Sequence, residues 1–158
     1  MRPLLLEADE HGKMSLLANL SAHEDLMFNE HSVVFFKGLW YMFMRRHHKT
    51  HGVWQTTSPD LKTWSEPTLL AEKAQAPMAY VFEDRMLVAY RQILGEDHAG
   101  VVLREPLGTL CLTLDEYEGC VYDGGYADLF EMDGRLYVCY YRGNPEGEPD
   151  IRLVGLLP

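Results

Sequence analysis

From Ser32 onward the chain alternates apolar and polar residues in short runs broken by turn residues. No stretch carries a convincing 3.6-residue apolar period over three turns, so strands are predicted and little helix. The clearest pattern is Gly124-Gly125-Tyr126-Ala127-Asp128-Leu129-Phe130-Glu131-Met132-Asp133-Gly134-Arg135-Leu136-Tyr137-Val138-Cys139-Tyr140-Tyr141. Apolar residues alternate on both sides of Asp133-Gly134, and Asp-Gly is a strong signal for a tight hairpin turn. The glycine pair before Tyr126 allows a sharp bend that presents this phenol at the start of a strand. Ser32 to Arg45 and Met78 to Arg91 repeat the pattern. Phe36, Phe82 and Phe130 fall at equivalent points, 46 and 48 residues apart. Short strands at a period in the forties are the signature of propeller blades.

The expected architecture is all-β, with about three four-stranded antiparallel blades at 29–72, 76–115 and 122–158. The third repeat lacks an obvious fourth strand. Residues 1–28 form an N-terminal extension, and Met14 to Leu20 is the one stretch available to complete the third blade. Propellers close with about four to eight blades. Three blades make half a six-bladed ring and expose two apolar faces, which predicts association. A two-fold homodimer would supply six blades; alternatively, the chain is a piece of a longer protein.

Composition narrows the partners. Of 158 residues, 47% are hydrophobic, and 14 basic against 24 acidic residues give a net charge of −10. That balance argues against a nucleic-acid backbone as partner. No apolar run reaches the roughly 20 residues that span a bilayer, so no membrane partner is expected. The run Leu4-Leu5-Leu6 is too short for a secretory signal. Cys111, Cys120 and Cys139 are odd in number and lack zinc spacing, which suits core thiols in a reducing, cytoplasmic compartment. Arg45-Arg46-His47-His48-Lys49-Thr50-His51 has no acidic or cysteine ligand nearby in sequence and reads as a solvated or substrate-rim loop. No metal or cofactor is expected.

Ser58-Pro59-Asp60-Leu61-Lys62-Thr63-Trp64 resembles the Asp-box turn of sialidase blades, one residue short and without its glycine. The shorter form also resembles the Ser-x-Asp-Leu-x-x-Trp turn of five-bladed glycosidases. Physically it is a lock, with Ser and Asp oxygens on turn amides and Trp packed beneath. Asn29-Glu30-His31-Ser32-Val33-Val34 followed by Arg45, then Ala89-Tyr90-Arg91, then Gly125-Tyr126-Ala127-Asp128-Leu129 resemble, in order, the C-terminal half of a sialidase-like propeller. The likeness runs over about residues 29–155.

That resemblance implies a retaining glycoside hydrolase acting on an acidic sugar. Tyr126 would be the nucleophile and Glu30 its base, since a phenol with a pKa near 10 needs one. Arg45 and Arg91 would clamp the sugar carboxylate through forked hydrogen bonds. Strand alternation lets only one of Arg45 and Arg46 point inward. The family's general acid and first arginine come from earlier blades. Asp25 and Asp128 are conceivable acids without a motif, and Arg2-Pro3 is too short a match to stand for the arginine. Two alternatives remain open. One is a non-catalytic propeller that binds glycan or protein. The other is a relative of the five-bladed arabinanase, levanase and mannoside-phosphorylase group, which uses carboxylates from several blades.

Overall fold

A computed structural model describes residues 4–20, 27–47 and 51–156. All its regular elements are strands, apart from one short 3₁₀ position at Leu20. A first hairpin pairs β1 (Leu4–Ala8) with β2 (Met14–Asn19). Asp9 closes its turn by accepting the backbone N–H groups of His11 and Lys13.

Three antiparallel sheets follow. The first is β3 (Phe28–Phe36), β4 (Leu39–Arg46), β5 (Gly52–Ser58) and β6 (Thr68–Glu72), in that spatial order. The second is β7 (Ala74–Phe82), β8 (Arg85–Ile93), β9 (His98–Arg104) and β10 (Cys111–Glu118). The third holds β11 (Gly124–Met132), β12 (Arg135–Arg142) and β13 (Asp150–Gly155). These are propeller-type blades, each ordered as it occurs in the chain. The pairs Phe36↔Leu39 and Met132↔Arg135 leave two-residue turns. Lys37, Gly38, Asp133 and Gly134 all have positive φ, as the twist-matched type I′ hairpin requires.

The second sheet sits in the middle, and its sequence shows why. Along β8, Met86, Val88 and Tyr90 enter one apolar cluster with Phe36, Phe43 and Val53 of the first sheet. The intervening Leu87 and Ala89 enter another with Leu129, Val138 and Tyr140 of the third sheet. A strand alternates its side chains between faces, so an unbroken apolar run serves both neighbours. Burying such a side chain is worth about 1.5–3 kcal/mol. The first strands lie together, with β7 in contact with both β3 and β11. Ser32 Oγ accepts the Ala79 N–H at 2.9 Å across the β3–β7 junction.

The expectation that residues 14–20 complete the third sheet is overturned. β2 pairs with β1 instead, and Leu5 and Leu20 pack with Phe28, Met42 and Met44 against the outer face of the first sheet. Those large apolar side chains give the hairpin a surface to bury. The third sheet has three strands among the described residues. Away from the second sheet it leaves Ile151, Leu153 and Met132 exposed.

The Ser58–Trp64 lock forms as its chemistry dictates. Asp60 Oδ1 accepts the N–H groups of Lys62 at 2.9 Å and Thr63 at 2.7 Å. These bonds hold the Asp60 carboxyl below its ordinary range. Trp64 packs against the cluster under β1–β2 and donates its indole N–H to Leu61 O.

Candidate functional site

The first strand of each blade carries an irregularity at the same place. Register shifts fall between Asn29 and His31, between Gln75 and Met78, and between Gly124 and Ala127. Glu30, Ala76 and Gly124 each have positive φ, and each lies six residues before the repeated phenylalanine. A bulge adds a residue to one strand and re-aims the side chains beside it. Three such bulges on neighbouring strands gather polar groups that regular strands would have spread over two faces.

Glu30 is the hub. Its Oε1 accepts Arg45 Nη1 at 2.8 Å and Tyr126 Oη at 2.7 Å. Its Oε2 accepts the backbone N–H of Ala76 at 2.9 Å. Burial pushes the carboxyl pKa up, but the bonds from Tyr126 and Ala76 and the charge of Arg45 outweigh burial and leave it below the ordinary 4.5. For Tyr126 the bond to Glu30, then burial and the Glu30 charge, push the phenol above its ordinary 10.0, against the opposing charges of Arg91 and Arg45. The resting pair is therefore an ionised carboxylate and a neutral phenol.

Arg45, rather than Arg46, turns toward this centre. Arg46 lies on the other face of β4, buried against the Trp54 ring at 5.1 Å.

Arg91 belongs to the same assembly in an unexpected way. It is 2% exposed. Nη1 donates to Gly124 O and Nη2 to Gln75 Oε1, and the guanidinium lies 5.8 Å from the centroid of the Tyr126 ring. Gly125 makes this possible: a Cβ there would stand 2.8 Å from Arg91 Cβ, and its φ is +73°. Arg91 thus props the bulge that presents Tyr126. It does not face outward as the expected clamp on a carboxylate would, because both of its terminal nitrogens already have protein partners.

The structure therefore brings Tyr126, Glu30, Arg45 and Arg91 together. Asp128 is exposed on β11 opposite Cys139. Asp25, Arg2-Pro3 and 48–50 of the His47–His51 loop lie outside the described residues. Two participants, Gln75 and Asp123, escaped the sequence reading, and Tyr141 entered it only as part of the strand pattern, without a role. The Tyr141 ring stacks beside Tyr126 at 6.2 Å and 8°, and its hydroxyl donates to Asp123 Oδ1 at 2.8 Å. Counting six residues back from Phe82 would have found the Gln75–Ala76 bulge.

No family model matches the chain, and no curated protein matches it. Solved structures do match. A Bacteroides ovatus xyloglucan-locus GH43B protein superposes with TM-score 0.65 at 10% identity, over 97% of this chain and 33% of that one. The endo-arabinase of Bacteroides thetaiotaomicron gives TM-score 0.60 at 17% identity, over 97% and 65%. The xylan beta-1,4-xylosidase of Bacillus halodurans gives 0.62 at 16%, over 97% and 34%. The chain spans between a third and two-thirds of these proteins. At such identities the likeness shows the fold alone, antiparallel sheets arranged as propeller blades. The six-bladed sialidase type expected from the sequence finds no support in these neighbours; the alternative drawn from Asp60-Leu61-Lys62-Thr63-Trp64 fits them better.

Proposed function

We propose that this chain is the carbohydrate-active part of a propeller glycoside hydrolase, with Tyr126 and Glu30 as the reacting pair. The observation that carries the reading is the 2.7 Å hydrogen bond from Tyr126 to Glu30, set between Arg45 and Arg91 at three aligned bulges. In the proposed step the Tyr126 oxygen bonds to the anomeric carbon as its proton passes to Glu30. The bond from that carbon to the leaving oxygen breaks, and an acid protonates that oxygen. Asp123, beside Tyr141, is the acid we assign. Water then displaces the sugar from Tyr126 and gives its proton to the ionised Asp123, restoring the acid, while Tyr126 recovers its own proton from Glu30.

The substrate we assign is a neutral glycan of the arabinan or xylan kind. Arg45 and Arg91 are already engaged within the protein, which weakens the acidic-sugar expectation. The endo-arabinase and the xylan xylosidase that share the fold suggest the sugar class. The exposed apolar residues of the third sheet and of the β1–β2 hairpin support closure of the ring by further sheets.

A second reading, binding without hydrolysis, is favoured by the proton balance. The ordinary pKa values of Glu30 and Tyr126 are 4.5 and 10.0, and both move further apart here. Full transfer before attack costs roughly 7 kcal/mol or more. Aryl arabinofuranoside, xyloside and sialoside assays on a peak sized by light scattering separate these readings. Hydrolysis that falls at least a hundredfold in Tyr126→Phe and in Glu30→Gln supports the enzyme. Sugar binding without turnover supports the second reading. Sialoside turnover would restore the acidic sugar.

A further inference from the structure

A cavity of about 720 Å³ opens where the links into β7 and β11 meet the loop after β8, lined chiefly by His51, Glu72, Lys73, Glu96 and Tyr122. Its volume lies within the roughly 300–1,000 Å³ of small-ligand sites. It shares its backbone with the centre. Lys73 leads into the Gln75–Ala76 bulge that touches Glu30 and Arg91, and Tyr122 comes just before the Gly124–Gly125 bulge that presents Tyr126.

The walls are pinned by the main chain. Lys73 N–H donates to His51 O at 2.8 Å, and Ile93 N–H donates to Lys73 O at 2.9 Å, which ties the β6–β7 link to both flanking sheets. Gly95 N–H bonds His98 O, and Asp123 N–H bonds Cys120 O, closing the two turns that bring Glu96 and Tyr122 to the rim. Lys73 itself sits at φ 50°. Local strain in a pinned link is characteristic of binding sites.

The lining chemistry specifies the ligand. The Tyr122 side chain is 74% exposed. An aromatic ring held at a cavity rim offers an apolar face and a polar tip. Glu72 and Glu96 accept hydrogen bonds and Lys73 donates them. Two carboxylates against one ammonium disfavour an anion. We infer that this cavity is a second carbohydrate subsite, taking the further rings of a neutral oligosaccharide whose terminal unit reaches Tyr126. One ring stacks on Tyr122, and its hydroxyls pair with Glu72, Lys73 and Glu96. The inference rests on reading Tyr126–Glu30 as the sugar centre.

Calorimetric titration of the whole chain with arabinotetraose, xylotetraose and the two monosaccharides tests it. The variants are Tyr122→Ala, Tyr122→Phe, Glu96→Gln and Tyr126→Ala, with melting curves to establish folding. The expected result is tetraose affinity about tenfold weaker in Tyr122→Ala, several-fold weaker in Glu96→Gln and unchanged in Tyr122→Phe, with monosaccharide binding the same in all three. Tetraose binding that is untouched by Tyr122→Ala yet lost in Tyr126→Ala overturns the subsite and leaves the centre standing. Tetraose binding that needs Tyr122 but not Tyr126 keeps the subsite and overturns the reading of the centre. A wild-type chain that binds neither tetraose overturns the subsite.

Discussion

The two ends of the first-strand hairpins use the same backbone device for opposite purposes. At the turn end, Lys37-Gly38 and Asp133-Gly134 take positive φ in exposed two-residue loops. No atom lies within 4 Å of a Cβ built on Gly38 or Gly134. At the bulge end, Glu30, Ala76, Gly124 and Gly125 also take positive φ, but they are packed against one another's sheets. Ala76 is buried and Gly125 lies on Arg91. Left-handed backbone is cheap where only the local turn sees it. Where it re-aims side chains from three sheets onto one point, it demands tight packing and polar pairing around it. That is the pattern expected of a site rather than of a connection.

Substitutions test this contrast, beginning with the largest effect. Gly125→Ala forces a Cβ onto Arg91 at a positive φ and is expected to cost about 4 kcal/mol in urea unfolding. Gly134→Ala is expected to cost about 1 kcal/mol. Equal costs would end the distinction between the two ends. Arg91→Met leaves Gly124 O and Gln75 Oε1 without their donor and is expected to cost about 3 kcal/mol by the same measurement. A near-neutral result would mean that Arg91 does not prop the bulge.

Glu30→Gln is expected to cost about 1–2 kcal/mol near neutral pH, with a defined pH dependence. The folded carboxyl is more acidic than the unfolded one. Its contribution is therefore fully present above the unfolded value and is lost as pH falls through the folded value. The gap between wild type and Glu30→Gln should hold from pH 7 to about 5 and shrink below 4.5. A gap that widens on acidification would refute the assigned sign. Asp84→Ala removes the exposed Lys37–Asp84 pair near the turn end and should change stability by less than about 0.5 kcal/mol.

What was legible in the sequence was mostly local. The hairpin turns, the alternation around them and the phenylalanine period lie within short windows, so the strands of all three blades follow from them. The Ser58–Trp64 lock was readable for the same reason, since Asp60 bonds only its near neighbours. The residues Glu30, Arg45, Arg91 and Tyr126 were reachable through a family pattern, although the likeness to solved structures shows the fold alone. The burial of Arg91 was not legible. Its partners Gln75 and Gly124 stand 16 and 33 residues away, and an arginine ending a strand reads alike whether it faces solvent or a neighbouring sheet.

By itself, then, the chain's alternation and turn chemistry determined an all-β repeat of three blades, because strand and turn preferences act over a few residues. Only the tertiary structure decided that β2 pairs with β1 and that three bulges converge. It also decided that Glu30 meets a phenol 96 residues away. Those outcomes depend on which sheet faces bury one another, and packing between sheets leaves no period in the sequence.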